Sequence, residues 1–183
     1  GGKCWVDEKK FQLHLTGILS MTPGDYGGIL NMLGGASTAT LMIEGVAMYY
    51  PKMKKFYNGE PISAGVWGWG QEFDLANPAE AVGDKLSAGY NLDFSWVYDG
   101  SLIPGWQVIP EIYFFHAVSG RSPNSTGLFM EGAKSANFIV SFVQNPANWQ
   151  FGVNYAKFWG GSRVFDQPYA DRDFVGAYVS RNF

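Results

Sequence analysis

Between Leu86 and Tyr98 the chain alternates with a period of two. Leu86, Ala88, Tyr90, Leu92, Phe94, Trp96 and Tyr98 are apolar or aromatic, and Ser87, Gly89, Asn91, Asp93, Ser95 and Val97 lie between them. Successive side chains of a strand point to opposite faces, so this segment has one greasy face and one mostly polar face. It is longer than the mean strand of about 5–6 residues. It reaches the roughly 9–11 residues with which a tilted strand crosses a bilayer. A soluble sandwich also alternates, but with shorter strands and a more highly charged outer face.

Composition narrows the fold. Only 16% of the 183 residues are charged, while 17% are aromatic and 24 are glycine. A soluble domain has about 25% charged residues to cover its surface. No run approaches the roughly 18 apolar residues of a membrane helix. Together these favour an all-β, antiparallel transmembrane β-barrel, whose signal is weak alternation and not a hydropathy peak. The formal net charge of −3 gives no basic surface for nucleic acid. The single cysteine, Cys4, excludes an internal disulfide and a metal site built on several cysteines. The chain opens without a signal-peptide pattern, as expected of a mature form or a fragment.

Alternation predicts strands over 10–21, 37–50, 84–98, 106–118, 135–144, 149–158 and 173–183. Pro110 falls inside the fourth and has no N–H for a ladder, so it should mark a bulge or an unpaired position. Residues 22–28 read as a turn closed by Gly34-Gly35, with a short helical turn over Ile29–Leu33. Residues 51–82 read as a long loop with room for a short hairpin. They contain Lys52, Lys54 and Lys55 and the tract around Trp67 and Trp69. The connections alternate in length: long at 51–82, 119–134 and 160–172, short at 99–105 and 145–148. Outer-membrane barrels show that pattern, with short periplasmic turns and long extracellular loops. The connection at 22–36 occupies a periplasmic place and is longer than usual.

Five stretches, in order, carry a family resemblance: Ser119-Gly-Arg-Ser-Pro, Phe129-Met-Glu-Gly-Ala-Lys134, Asn148-Trp149, Phe158-Trp-Gly-Gly161 and Asp171-Arg-Asp-Phe-Val175. The chain resembles the proteobacterial outer-membrane family known as domain of unknown function 1302. The likeness is specific over 84–183, weaker over 10–50, and does not extend to 51–82. It implies a porin-type barrel working beside an RND-type exporter and periplasmic lipid carriers, and traffic in lipid-like, hydrophobic or amphiphilic molecules. No enzyme activity and no cofactor are expected, since no catalytic or cofactor motif stands in the sequence. Members of that family are longer, so the chain resembles the C-terminal portion of a larger barrel, or else an unusually short relative. Residues 1–183 would then be a single barrel domain, incomplete at the N-terminus. Single-chain bacterial barrels have even strand numbers, so the odd count means either further strands within 51–82 or, the favoured reading, strands missing at the N-terminus. Terminal Phe183, after Val175, Ala177 and Val179, resembles the signal by which barrels are handed to the insertion machinery; Arg181 departs from it.

The site candidates divide by face. His14, Glu44, Asn91, Asp93, Glu111, Asn137 and Asn154 fall on polar faces and would line a lumen. They form either a conduit or a set of polar groups pairing with one another. Tyr49, Phe94, Trp96, Tyr98, Trp106, Trp149, Phe151 and Phe183 would meet lipid or its interfaces. Trp5, Tyr50 and Trp159 also lie near strand ends, where aromatic girdles form. His14 and His116 are the only histidines, and no nucleophile motif accompanies either, so a Ser–His–acid hydrolase is not supported. No phosphate, zinc or calcium motif is present. Lys52, Lys54 and Lys55 could meet lipopolysaccharide phosphates or merely hydrate a loop. Trp67 and Trp69 could form a sugar platform. The expected location is the bacterial outer membrane. The alternatives are a structural or assembly component of that membrane, and a soluble β-sandwich binding module.

Overall fold

The computed structural model describes residues 9–52, 83–122, 129–162, 166–167 and 169–182, together with the backbone of 56–57 and 60–61. Seven long strands form one antiparallel meander: β1 (Phe11–Met21), β2 (Thr38–Tyr49), β5 (Leu86–Asp99), β6 (Trp106–Ser119), β7 (Ala133–Gln144), β8 (Trp149–Gly160) and β9 (Phe174–Arg181). Each pairs with its neighbour in the chain, and β2 pairs with β5 across a two-stranded excursion, β3 (Phe56–Tyr57) with β4 (Glu60–Pro61). All seven expected strands are present. β3–β4 is the short hairpin that 51–82 had room for. β9 pairs with β8 and β1 with β2, and the two outer strands are not paired with one another. The described sheet is therefore open. No helix among the described residues is long and apolar enough to cross a membrane.

Pro110 acts as its chemistry requires. It pairs with Val140 on β7. On its other side the β5–β6 ladder breaks between Ser95↔Glu111 and Tyr98↔Val108. A second irregularity lies at Ala88/Gly89.

The meander puts the connections 100–105 and 145–148 at one end of the sheet, and 50–85, 120–132 and 161–173 at the other. At the short-turn end the Asn145 amide donates to the Gly105 carbonyl at 2.8 Å, and the Asn182 amide to the Asn148 carbonyl at 2.8 Å.

The 22–36 connection differs from expectation. The helical segment is longer than a turn over Ile29–Leu33: α1 spans Pro23–Met32, with a non-helical kink at Tyr26. Proline at the first helical position and Asp25 in the first turn both suit a helix N-terminus. Gly34 and Gly35, at φ 78° and 80°, end the helix; the Gly34 amide donates to Asn31 and the Gly35 amide to Leu30. Leu30 is buried with Met21, Ala36 and Ala39, against Leu41, Phe94, Trp96 and Tyr98. Every one of those strand residues lies on the apolar face. α1 thus covers part of that face at the short-turn end. The Tyr98 hydroxyl fastens it by donating to the Leu33 carbonyl.

Candidate functional site

Register sorts the side chains into two faces, because residues directly opposite in an antiparallel pair share a face. One row across all seven strands reads Leu19, Leu41, Phe94, Ile112, Phe138, Tyr155, Val175. Nearer the short turns another reads Tyr98, Val108, Phe142, Phe151, Val179. Between them lie Pro110, Val140, Val153 and Ala177. None of these residues is charged. Aromatic stacking reinforces the face: Phe142 lies parallel to Phe151 at 4.5 Å, and Trp106 meets Phe151 edge-on at 5.4 Å. Lys134, Lys157 and Arg181 stand on this side but near strand ends. Arg181 lies 5.0 Å over the Trp149 ring.

On β8 this apolar face is the more exposed one. Along β8, Trp149, Phe151, Val153, Tyr155 and Lys157 are exposed, while Gln150, Gly152, Asn154, Ala156 and Phe158 are half-buried or buried. Leu15 is 68% exposed, Val175 77% and Val179 70%. These three stand on the outer strands, whereas Val108, on the middle strand of the sheet, is buried.

The opposite face carries the polar candidates, and the structure brings most of them into pairs. His14 Nδ1 lies 2.9 Å from Glu44 Oε1, and Gln12 Nε2 2.7 Å from His14 Nε2. Asn91 Nδ2 donates to Glu44 Oε2 at 3.2 Å. These bonds link β1, β2 and β5. Asn154 Nδ2 donates to Asn137 Oδ1 at 3.0 Å, linking β8 and β7. The Tyr178 hydroxyl reaches across β8 to Ser141 Oγ at 3.1 Å. It can do so because Gly152 lies beneath it: a Cβ there would stand 2.5 Å from the Tyr178 ring. Asp93 and Glu111 sit diagonally across β5 and β6, in the successive same-face pairs Asp93↔Tyr113 and Ser95↔Glu111. Polar groups on this face therefore pair with one another, and Glu44, Asp93 and Glu111 give it acidic character. Among the described residues no group of three or more His, Cys, Asp or Glu could hold a metal ion.

Of the aromatic candidates, Phe94, Trp96, Tyr98, Phe151 and Tyr49 lie on the apolar side. Phe94, Trp96 and Tyr98 are partly covered by α1. Trp106 and Trp149 begin β6 and β8 at the short-turn end. His116 is on the apolar side, edge-on to Tyr90 at 5.6 Å. Lys52 is exposed. Cys4, Trp5, Lys54, Lys55, Trp67, Trp69 and Phe183 lie outside the described residues.

One cluster went unforeseen. At the long-loop end Phe129, which precedes β7, is buried with Met48, Tyr50, Ala117, Met130 and Ala133, against Val46 and Phe115. Val46, Met48, Phe115 and Ala117 belong to the polar face by parity. The available signal was that break in alternation, with a Phe-Met pair inside a loop otherwise rich in small and polar residues. Burial raises the pKa of the Tyr50 hydroxyl.

Arg121 holds the loops above this cluster. Its guanidinium makes two bonds to Asp166, Nε–Oδ1 at 2.7 Å and Nη2–Oδ2 at 2.6 Å. Its own amide donates to Asp84 Oδ2 at 2.9 Å, and the Gly120 amide to Glu131 Oε2 at 2.8 Å. Asp166 is 2% exposed. The hydrogen bond to Asp166, opposed by burial, leaves the Arg121 pKa above its ordinary value. Ser119–Ser122, Phe129–Lys134 and Phe158–Gly161, from three of the stretches that carry the family resemblance, contribute to this knot of loops. Asp173, just before β9, accepts from the Phe158 amide at 3.0 Å and the Tyr155 hydroxyl at 2.9 Å. Those bonds favour its ionised form and lower its pKa.

The fold and the site define a class: an all-β antiparallel sheet with one apolar face and one face that carries the polar side chains. The chain belongs to the family described as Protein of unknown function (DUF1302), whose profile matches residues 1–183. That match takes in 51–82, where the motif resemblance did not reach. No curated protein and no solved structure matches the chain.

Proposed function

We propose that the chain forms part of the wall of an outer-membrane β-barrel that passes or binds hydrophobic or amphiphilic molecules. Its apolar face would meet lipid and its polar face a hydrated lumen. The observation that carries this reading is the uncharged apolar face: one row crosses all seven strands and a second crosses the five from β5 to β9. Lys157 stands eight residues along β8 from Trp149, which pairs with Arg181. At about 3.3 Å per residue that is roughly 26 Å of strand. A tilt of about 40° turns it into ~20 Å of height, close to the apolar band of such barrels. Trp106, Trp149 and Arg181 would form the girdle at the short-turn, periplasmic side. Closing the wall requires pairing for the free edges of β1 and β9, since unpaired backbone in lipid costs several kcal/mol per group.

A sandwich would cover the apolar face with a second sheet; among the described residues only α1 lies on it. The companions of this function would be outer-membrane lipids and lipopolysaccharide, an RND-type exporter with periplasmic lipid carriers, and the insertion machinery acting on Phe183. The test is extraction followed by planar-bilayer recording. A barrel requires detergent, migrates differently on gels before and after boiling, and conducts. Release into plain buffer overturns the reading. Detergent dependence with no conductance favours a structural or assembly role.

A further inference from the structure

The apolar cluster under Phe129 has the geometry of a groove. Its walls are Val46 and Met48 on β2 and Phe115 and Ala117 on β6. Its floor is β5 at Gly89, whose missing side chain makes the hollow. A Cβ there would lie 2.4 Å from Phe129 Cε1. With neighbouring strands about 4.8 Å apart, β2 and β6 stand roughly 10 Å from each other. A floor one strand wide admits one ring or one hydrocarbon chain. Phe129 fills it, 1% exposed and parallel to Phe115 at 6.2 Å.

The floor is bracketed by two unmade hydrogen bonds. Ser87, two residues before Gly89, is wholly buried, and its Oγ has no partner among the described residues. Asn91, two residues after it, has its Oδ1 buried and likewise without a partner. A buried polar atom left unpaired costs free energy. On the Asn91 side the Glu44 carboxylate accepts from Asn91 and pairs with His14. An orphan acceptor beside a carboxylate suits a group that donates hydrogen bonds, and it repels a second carboxylate.

We propose that this groove binds the tail of a single-chain amphiphile whose head is a hydroxyl or an ammonium group, with Phe129 as a stopper supplied by the chain itself. The tail takes the place of the Phe129 ring over Gly89. The head donates to Asn91 Oδ1 and faces Glu44. This rests on the barrel reading above, since it needs the polar face to line a lumen.

The test is photo-crosslinking of the protein folded in phosphatidylcholine vesicles, with adducts mapped by mass spectrometry. The probes are hexadecanol and palmitic acid, each carrying a diazirine on its chain. Labelling of Leu15, Val153 or Val175 reports the lipid-facing side and thus tests the barrel reading by itself. Labelling of Val46, Met48 or Phe115 reports the groove. We expect outer-face labelling throughout, and groove labelling by the alcohol that rises several-fold in Phe129→Ala. The acid should label the groove less than the alcohol. Should Phe129→Ala not fold, as read by boiling-dependent migration, Phe129→Leu, which still shortens the stopper, decides in its place. Outer-face labelling with an unlabelled groove overturns the inference and spares the barrel. Groove labelling that Phe129 does not limit, or that the acid matches, also overturns it. Loss of outer-face labelling overturns the barrel reading itself.

Discussion

Replacing Val153 by arginine separates lipid from water on the apolar face. Val153 is midway between Trp149 and Lys157 on β8, opposite Val140 and Ala177, and 50% exposed. Being half exposed, it loses little packing on replacement. If the face meets water, the arginine extends into solvent and stability changes by no more than about 0.5 kcal/mol. If the face meets lipid, the guanidinium sits near the bilayer midplane, about 13 Å of strand from either charged edge. That costs about 2–4 kcal/mol, or roughly a 30- to 1,000-fold fall in the folded-to-unfolded ratio. Urea titration in vesicles, scored by boiling-dependent gel migration, measures the difference. Val153→Thr in parallel controls for the loss of a methyl group. An arginine variant as stable as the threonine variant would refute the lipid-facing assignment, and the sandwich would take its place.

Leu92→Arg should hinder folding in vesicles, whereas Asn91→Arg should be tolerated, because position 91 faces the Glu44 carboxylate at hydrogen-bond distance; equal folding yields would mean the two faces are not distinct. Arg121→Ala should cost about 3 kcal/mol, the usual price of removing one partner of a buried ion pair, and the Arg121→Ala/Asp166→Ala double variant should cost less than the sum of the single variants; strictly additive losses in denaturant titrations would refute the coupling. The lowered pKa of Asp173 means that its bonds to Phe158 and Tyr155 stabilise the fold above the ordinary aspartate value of about 3.9, and that this contribution disappears as the pH falls through the lower, folded-state value. Hydrogen exchange at the Phe158 amide should accelerate over that window in the native chain and be independent of pH there in Asp173→Asn, once corrected for intrinsic exchange; matching profiles would show that Asp173 is not responsible.

What could be read from the sequence were the strands and their faces. The period of two in Leu86–Tyr98 is a local property, fixed residue by residue by the geometry of an extended chain. It therefore separated Leu92 from Asn91, and the same alternation over 149–158 separated Val153 from Asn154, without knowledge of any neighbour. The break at Pro110 was equally local, since a missing N–H is a fact about one residue. Pairing then followed from the connections, because antiparallel neighbours in sequence become neighbours in space. Only the tertiary structure decided what lies on those faces. α1 covers Phe94, Trp96 and Tyr98 because Leu30 finds them after the chain has turned, and its sequence carries no period that names them. Phe129 sits over Gly89, some forty residues away, and Arg121 reaches Asp166 across two loops. Such contacts depend on where the sheet delivers its loops. A single chain records the residues that make them, but the partners emerge only when the strands between have been stacked in register.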